Sequence, residues 1–120
     1  MNVLTTHSAW LMSSLVLGCN GLLSGSGSVI ADLHVALWRA VQKKDLAQAR
    51  LINDRIYPLA SVFYSDPLLD MHNRMKEALA LLGRIPSAAC RLPWLRIPAV
   101  EVDRIRDALQ RSGVKPEGAF

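Results

Sequence analysis

Apolar residues fall at helical spacing over most of the chain, with two short extended signals near the start. Ala9 to Leu17 (AWLMSSLVL) is an apolar run that predicts a buried helix, stopped by Gly18 and followed by a turn at Asn20-Gly21. Asn2 to Leu4 reads as the end of a strand, and Gly21-Leu22-Leu23-Ser24 as a short buried strand. A Gly/Ser run follows, Gly25-Ser26-Gly27-Ser28, in which Ser28 is placed to cap the next helix by accepting a backbone N–H that has no partner within it. From there to Gln42, Ile30, Leu33, Leu37, Ala40 and Val41 lie on one helical face. The order helix, turn, buried strand, small-residue loop, helix is that of an α/β unit.

After Lys44 the pattern is helical alone. Asp45 is a good N-cap for a helix carrying Leu46, Ala49, Ile52, Ile56, Leu59 and Phe63 on one side. Pro58 lies inside that helix and predicts a kink, because proline removes a backbone donor and crowds the preceding turn. Asp66-Pro67 marks a break and a new start. Met71, Met75, Ala78, Leu79 and Leu82 form the next stripe, closed by Gly83. Ile85 to Pro98 holds three prolines and predicts an extended connection. Pro98 then opens a last helix through Val102, Ile105 and Leu109, ending at Gly113, with a frayed tail beyond.

Composition changes this picture little. The chain has 120 residues, 51% hydrophobic and 20% charged, which suits one domain with a real core and argues against disorder. It has no short sustained repeat of the kind that makes collagen or a coiled coil. The net charge is +4, but every charged residue lies between Asp32 and Glu117, acids interleaved with bases. Lys43-Lys44 and the Arg104/Arg106/Arg111 group come nearest to a basic patch, and neither has aromatic residues interleaved for base stacking. They read as solvated helix faces, and nucleic acid is not an expected partner.

The uncharged start invites a second reading. Val16-Leu17-Gly18-Cys19 loosely resembles a bacterial lipoprotein cleavage box behind an apolar run. Against it, MNVLTTH lacks the Lys or Arg of a signal peptide, and the run is shorter than the ~20 residues that span a bilayer. The expectation is therefore a cytoplasmic protein without a membrane partner.

Motifs alone give no catalytic constellation. Cys19 and Cys90 make no disulfide framework and no metal-ligand spacing. The Gly25–Ser28 loop lacks the Gly-Lys-Ser/Thr of a phosphate-binding loop and reads as a tight turn. His7, His34 and His72 are widely separated, and Ser24 is not in a nucleophile elbow. Met71 and Met75 read as core filler. No cofactor is called for.

The order of features from Met1 to Gly113 resembles the C-terminal part of the dihydrodipicolinate synthase/N-acetylneuraminate lyase family. The resemblance is carried by Leu17-Gly18-Cys19-Asn20-Gly21-Leu22-Leu23-Ser24 and Asp45-Leu46-Ala47-Gln48-Ala49-Arg50. It continues through Asn53-Asp54-Arg55-Ile56-Tyr57-Pro58-Leu59, Lys76-Glu77-Ala78-Leu79-Ala80-Leu81-Leu82-Gly83 and Arg91-Leu92-Pro93. The family's usual Asn-Pro before the third helix is replaced around Met71-His72, which points to a divergent branch such as the sugar-acid aldolases and dehydratases.

The resemblance implies the last strand-helix units of a (β/α)8 TIM barrel over residues 1–43, a helical C-terminal domain over 44–113, and a flexible tail over 114–120. The fold class is mainly α with minor β. It implies a class I lyase, in which a strand lysine forms a Schiff base with pyruvate or a 2-keto acid and a tyrosine relays protons. On that alignment both residues precede Met1, so no catalytic residue falls in this chain, which is a fragment inactive alone. Lys43, Lys44, Lys76 and Lys115 take helical or tail positions. Leu23 falls where the family lines its pyruvate pocket with an aliphatic residue, and Thr6 where many members have a glycine near it. A complete barrel takes about 250 residues. The chain is therefore expected to seek a partner, as a homo-oligomer or with a full-length paralogue. A helical interaction module is the alternative function, and a lipoprotein processed at Cys19 the third.

Overall fold

The computed structural model describes residues 1–117. Over them the chain forms strands β1 (Leu4–Thr5) and β2 (Gly21–Leu22) and helices α1 (Leu11–Val16), α2 (Gly27–Gln42), α3 (Leu46–Phe63), α4 (Met71–Leu81) and α5 (Ala99–Arg111). The two strands are parallel, Leu4 facing Gly21 and Thr5 facing Leu22, with α1 as the crossover between them. Asn20 N–H donates to Val3 O and Leu23 N–H to Thr5 O, each at 2.8 Å. At Gly21 a Cβ would lie 3.1 Å from Leu4 Cδ2, so a side chain there would need the end of the Leu4 side chain to shift by a few tenths of an ångström.

The N-terminal elements differ in detail from the sequence pattern. The strand expected at Asn2 to Leu4 forms one step later, at Leu4–Thr5. The helix expected from Ala9 to Leu17 divides into a 3-10 turn, Ser8–Trp10, and α1. Gly21 belongs to β2 rather than to a turn, and the Asn20 side chain accepts Val3 N–H at 2.8 Å. Ser28 does not cap α2: it lies inside the helix, and its hydroxyl donates back to Gly25 O at 2.9 Å. The cause is a tight turn, in which Gly27, Ser28 and Val29 N–H donate to Ser24, Gly25 and Ser26 carbonyls. Those donors are spent within the loop.

The later helices follow the local signals. Asp45 Oδ1 accepts Gln48 N–H at 3.0 Å and starts α3, which runs through Pro58 to Phe63. At the end of α4, Gly83 takes φ +74°, Gly83 N–H returns to Ala80 O and Arg84 N–H to Leu79 O. That is the reversed turn a helix uses to satisfy its last carbonyls. Lys44 does the same after α2 at φ +59°, a conformation that costs a side-chain-bearing residue energy. Ile85 to Pro98 is an irregular connection, and Pro98 precedes α5.

One core runs through the described residues, without a break at 43/44. Leu11 and Leu15 of α1, Val29, Ile30, Leu33 and Leu37 of α2, and Ile52, Ile56, Leu59 and Phe63 of α3 are buried together with Met75, Ala78, Ile105 and Leu109. α3 is the centre, packed on α2 on one side and on α5 on the other. After Gly113 the chain turns back along α4, where Glu117 N–H donates to Leu82 O at 2.9 Å and its carboxylate pairs with Arg84. The rest of the segment read as a tail lies outside the described residues.

A buried arginine ties the α3–α4 corner. Arg74 is 0% exposed and donates to Glu101 at 2.7 Å, to Ser65 O at 2.7 Å and to Pro67 O at 3.2 Å. A buried guanidinium is tolerated only when its donors are met in this way. Two basic groups near the chain end are paired as well, Arg106 with Asp103 and Arg111 with Asp107. No described helix is long and apolar enough to cross a membrane.

Candidate functional site at the strand ends

Parallel strands deliver their following residues to one end of a sheet, and in barrels of alternating strands and helices chemistry sits at that end. Here β1 is followed by Thr6, His7 and Ser8, and β2 by Leu23, Ser24, Gly25 and Ser26. The register Thr5 against Leu22 puts Thr6 and Leu23 at the next step of the two strands. Thr6 lines a cavity of about 280 Å³ together with His7, Tyr64, Leu68, Met71 and His72. Leu23 is 72% exposed and is not among the residues of that cavity.

Behind the strand ends lies a cluster of hydroxyls. Ser8 Oγ is 2.9 Å from Ser24 Oγ and in closer contact with Ser26 Oγ. Ser24 Oγ is 3.2 Å from Ser26 Oγ and 3.3 Å from the Tyr64 hydroxyl. Ser26 Oγ meets His34 Nε2 at 3.2 Å. Ser8, Ser26 and His34 are buried. Burial pushes the His34 imidazole below its ordinary pKa of 6.5, with Asp32 acting in the opposite sense.

His7 is held differently. Its Nδ1 accepts Ala9 N–H at 3.3 Å, and its ring lies 4.4 Å from that of Tyr64. A second cavity, of about 390 Å³, runs along the other edge of β2 and is lined by Leu22, Ser24, His34, Val35 and Trp38. The Trp38 indole N–H donates to Asn20 O there, at 3.1 Å.

The three histidines, unrelated by spacing, are thus brought near one another: His7 and His72 share one cavity, and His34 joins the hydroxyls behind it. No group of three His, Cys, Asp or Glu side chains among the described residues could hold a metal ion. The strand ends carry no lysine or acid; Lys76 on α4 donates to Ala89 O. The network was not read from the sequence because Tyr64 is 40 residues from Ser24. One signal was available, since His34 occupies the apolar stripe of α2 between Ile30 and Leu37.

The structural neighbours of this chain are TIM-barrel enzymes. The crystal structure of YagE, a prophage protein of the dihydrodipicolinic acid synthase family from Escherichia coli in complex with pyruvate, superposes with TM-score 0.81 at 25% identity. The match covers 94% of this chain and 37% of that one. The model of the dihydrodipicolinate synthetase family matches residues 2–112, and the chain belongs to that family. Among curated relatives, a 4-hydroxy-tetrahydrodipicolinate synthase from Nitrobacter hamburgensis is 32% identical over 86% of this chain and 33% of its own length. A probable 2-dehydro-3-deoxy-D-pentonate aldolase from Escherichia coli is 23% identical over 88% of this chain and 35% of its own. The chain spans about a third of the curated relatives it matches.

Proposed function

We propose that this chain is the C-terminal part of a Schiff-base-forming lyase acting on pyruvate or another 2-keto acid, an aldolase or sugar-acid dehydratase when complete, and that it is inactive alone. The observation that carries the reading is the open pair of parallel strands. Each strand is two residues long, with one partner only, in a chain 94% of which superposes on part of an enzyme solved in complex with pyruvate. Strands of such a sheet are buried when complete, with neighbours on both sides and helices over the outer face.

In this reading Thr6 and Leu23 face the substrate from the ends of the last two barrel strands. The Schiff-base lysine and the proton-relaying tyrosine come from the units that precede them. The divergence around Met71-His72 is the feature that supports a sugar-acid substrate. The working form is cytoplasmic and associated, with further copies of itself or with a full-length relative.

The test is trapping with pyruvate and borohydride. The chain alone keeps its mass, and an adduct on it overturns the proposed inactivity. Mixed with a polypeptide carrying the remaining strand-helix units, it co-purifies with that polypeptide, whose strand lysine then takes the adduct. A chain that stays monomeric and unassociated under those conditions overturns the reading.

A further inference from the structure

Two apolar tips of opposite charge meet at the start of α4. The first is Asp66-Pro67-Leu68-Leu69-Asp70, where Leu68 and Leu69 are exposed between two acids. The second is Arg91-Leu92-Pro93-Trp94-Leu95-Arg96, a run of exposed residues with an arginine at each end. Leu69 is 73% exposed and Leu95 74%.

Both tips are held by α4. Arg74 donates to the Ser65 and Pro67 carbonyls beside the acidic tip. The neighbouring Asn73 donates through Nδ2 to Leu95 O at 3.3 Å, and its Oδ1 accepts Cys90 Sγ at 3.0 Å. Arg96 pairs at 3.1 Å with Glu77, whose carboxylate is buried, and Lys76 donates to Ala89 O. The basic tip is thereby fixed one helical turn from Asp70. Tips ordered in advance lose little freedom when they dock.

Exposed apolar side chains gathered at one corner mark an interaction surface, and the charges here say what covers it. Asp66 and Asp70 lie on one half, Arg91 and Arg96 on the other. Adjacent halves of opposite sign match their own copy turned about a two-fold axis, acid half to basic half twice over. An anionic lipid surface, in contrast, repels the acidic half. The helical segment lacks this division elsewhere: Tyr57 and Val100 share a groove with Asp103, Arg104, Asp107 and Arg111, where the signs are mixed.

We propose that this corner is a self-complementary interface, through which two copies of the chain pair by laying Leu68 and Leu69 of each against Leu92, Trp94 and Leu95 of the other. Arg96 is already engaged by Glu77, so Arg91 carries the basic side of the match. Two short tips supply less than the roughly 20–30 residues a side of a standard interface, so the dimer is weak, with Kd on the order of 10 μM. The pairing stands on these side chains and survives a failure of the lyase reading, which borohydride trapping judges separately.

The test is sedimentation equilibrium of the whole chain over a concentration series. A monomer–dimer equilibrium is expected, which Leu95→Asp weakens by about tenfold or more while the unfolding curve stays in place. Arg91→Glu and Asp70→Lys each weaken it too, by setting like charges against one another. Mixed in equal amounts, these two variants pair with each other about as tightly as the unaltered chain pairs with itself, since each supplies the charge that the other's altered half needs. Should Asp70→Lys fail to fold, Asp66→Lys serves. A chain that stays monomeric at every concentration overturns the inference, as do mixed variants that remain apart. Growth beyond the dimer overturns the two-fold match, and a dimer broken by Val35→Lys but not by Leu95→Asp moves the contact to the strand edge.

Discussion

The segment up to Gln42 builds its sheet from two residues per strand, whereas the segment from Asp45 onward closes its helices with its own backbone. α4 and α5 end in reversed turns at Gly83 and Gly113, and α3 begins on the Asp45 carboxylate. A helix satisfies most of its backbone within itself, and caps finish the remainder. A parallel strand cannot, because its hydrogen bonds belong to its neighbours. Val3, Leu4, Leu23, Val35 and Trp38 are exposed around a sheet that has two free edges, while the helical segment exposes apolar side chains of its own, among them Leu51, Leu69, Leu95 and Val100. The helical segment meets most of its backbone needs within itself, and the strand segment leaves both edges of its two-stranded sheet open among the described residues.

The largest expected effect belongs to the helical segment. Arg74 joins α4 to Glu101 of α5 and to the carbonyls that end α3, so Arg74→Met strands a carboxylate and several oxygens at once. A loss of about 3–5 kcal/mol in unfolding free energy is expected, the usual result of removing one partner of a buried pair. Urea denaturation measures it. A loss below 1 kcal/mol would mean that the α3–α4–α5 corner is held by apolar packing alone.

A smaller effect is expected on the strand side. Burial holds the His34 pKa below its unfolded value of 6.5, so the unfolded chain binds the proton more readily. The stability contributed by neutral His34 is fully present above pH 6.5 and is lost as pH falls through the folded-state value. His34→Gln should flatten that part of the profile, measured as the denaturation midpoint between pH 7 and 5. An unchanged acid slope in the variant would assign the loss to other groups.

These two sites also show what a sequence exposes. The Asp45 cap, Gly83 and Pro98 were legible because each acts within one turn of its own residue. The family resemblance was legible over nearly the same span as the family match, residues 2–112. The Ser28 cap was misplaced because the Gly25–Val29 turn spends its donors on its own carbonyls, which no single-residue preference reports. The strands are too short to show alternation. Arg74 stood in view, three residues after Met71 and four before Ala78 on the buried stripe of α4. Its use, however, depends on carbonyls seven to eleven residues away and on Glu101. The hydroxyl cluster was hidden by distance along the chain, since it joins residues 8, 24, 26, 34 and 64.

A still smaller effect returns to the helix ends. Lys44 occupies the left-handed position that Gly83 and Gly113 occupy elsewhere. Lys44→Gly relieves the side-chain crowding there and adds flexibility to the unfolded chain, two effects of opposite sign. A net gain of about 0.5 kcal/mol is expected in the same denaturation experiment. A loss would mean that the Lys44 side chain itself stabilises the junction of α2 and α3.

The smallest effect on stability is the sharpest test of the comparison. Val35 is 45% exposed on α2, beside the free edge of β2, and meets the cavity there with Leu22 and Trp38. In the chain alone, Val35→Lys places an ammonium at a position already open to water, and stability should change by no more than about 0.5 kcal/mol. If that edge is completed by another polypeptide, the same lysine must be desolvated against an apolar surface, which costs several times more. Association with the remaining strand-helix units should therefore collapse while the unfolding curve of the chain stays put. Equal effects on both would place Val35 in the chain's own core and remove the distinction between the two segments; no effect on either would put the docking edge elsewhere.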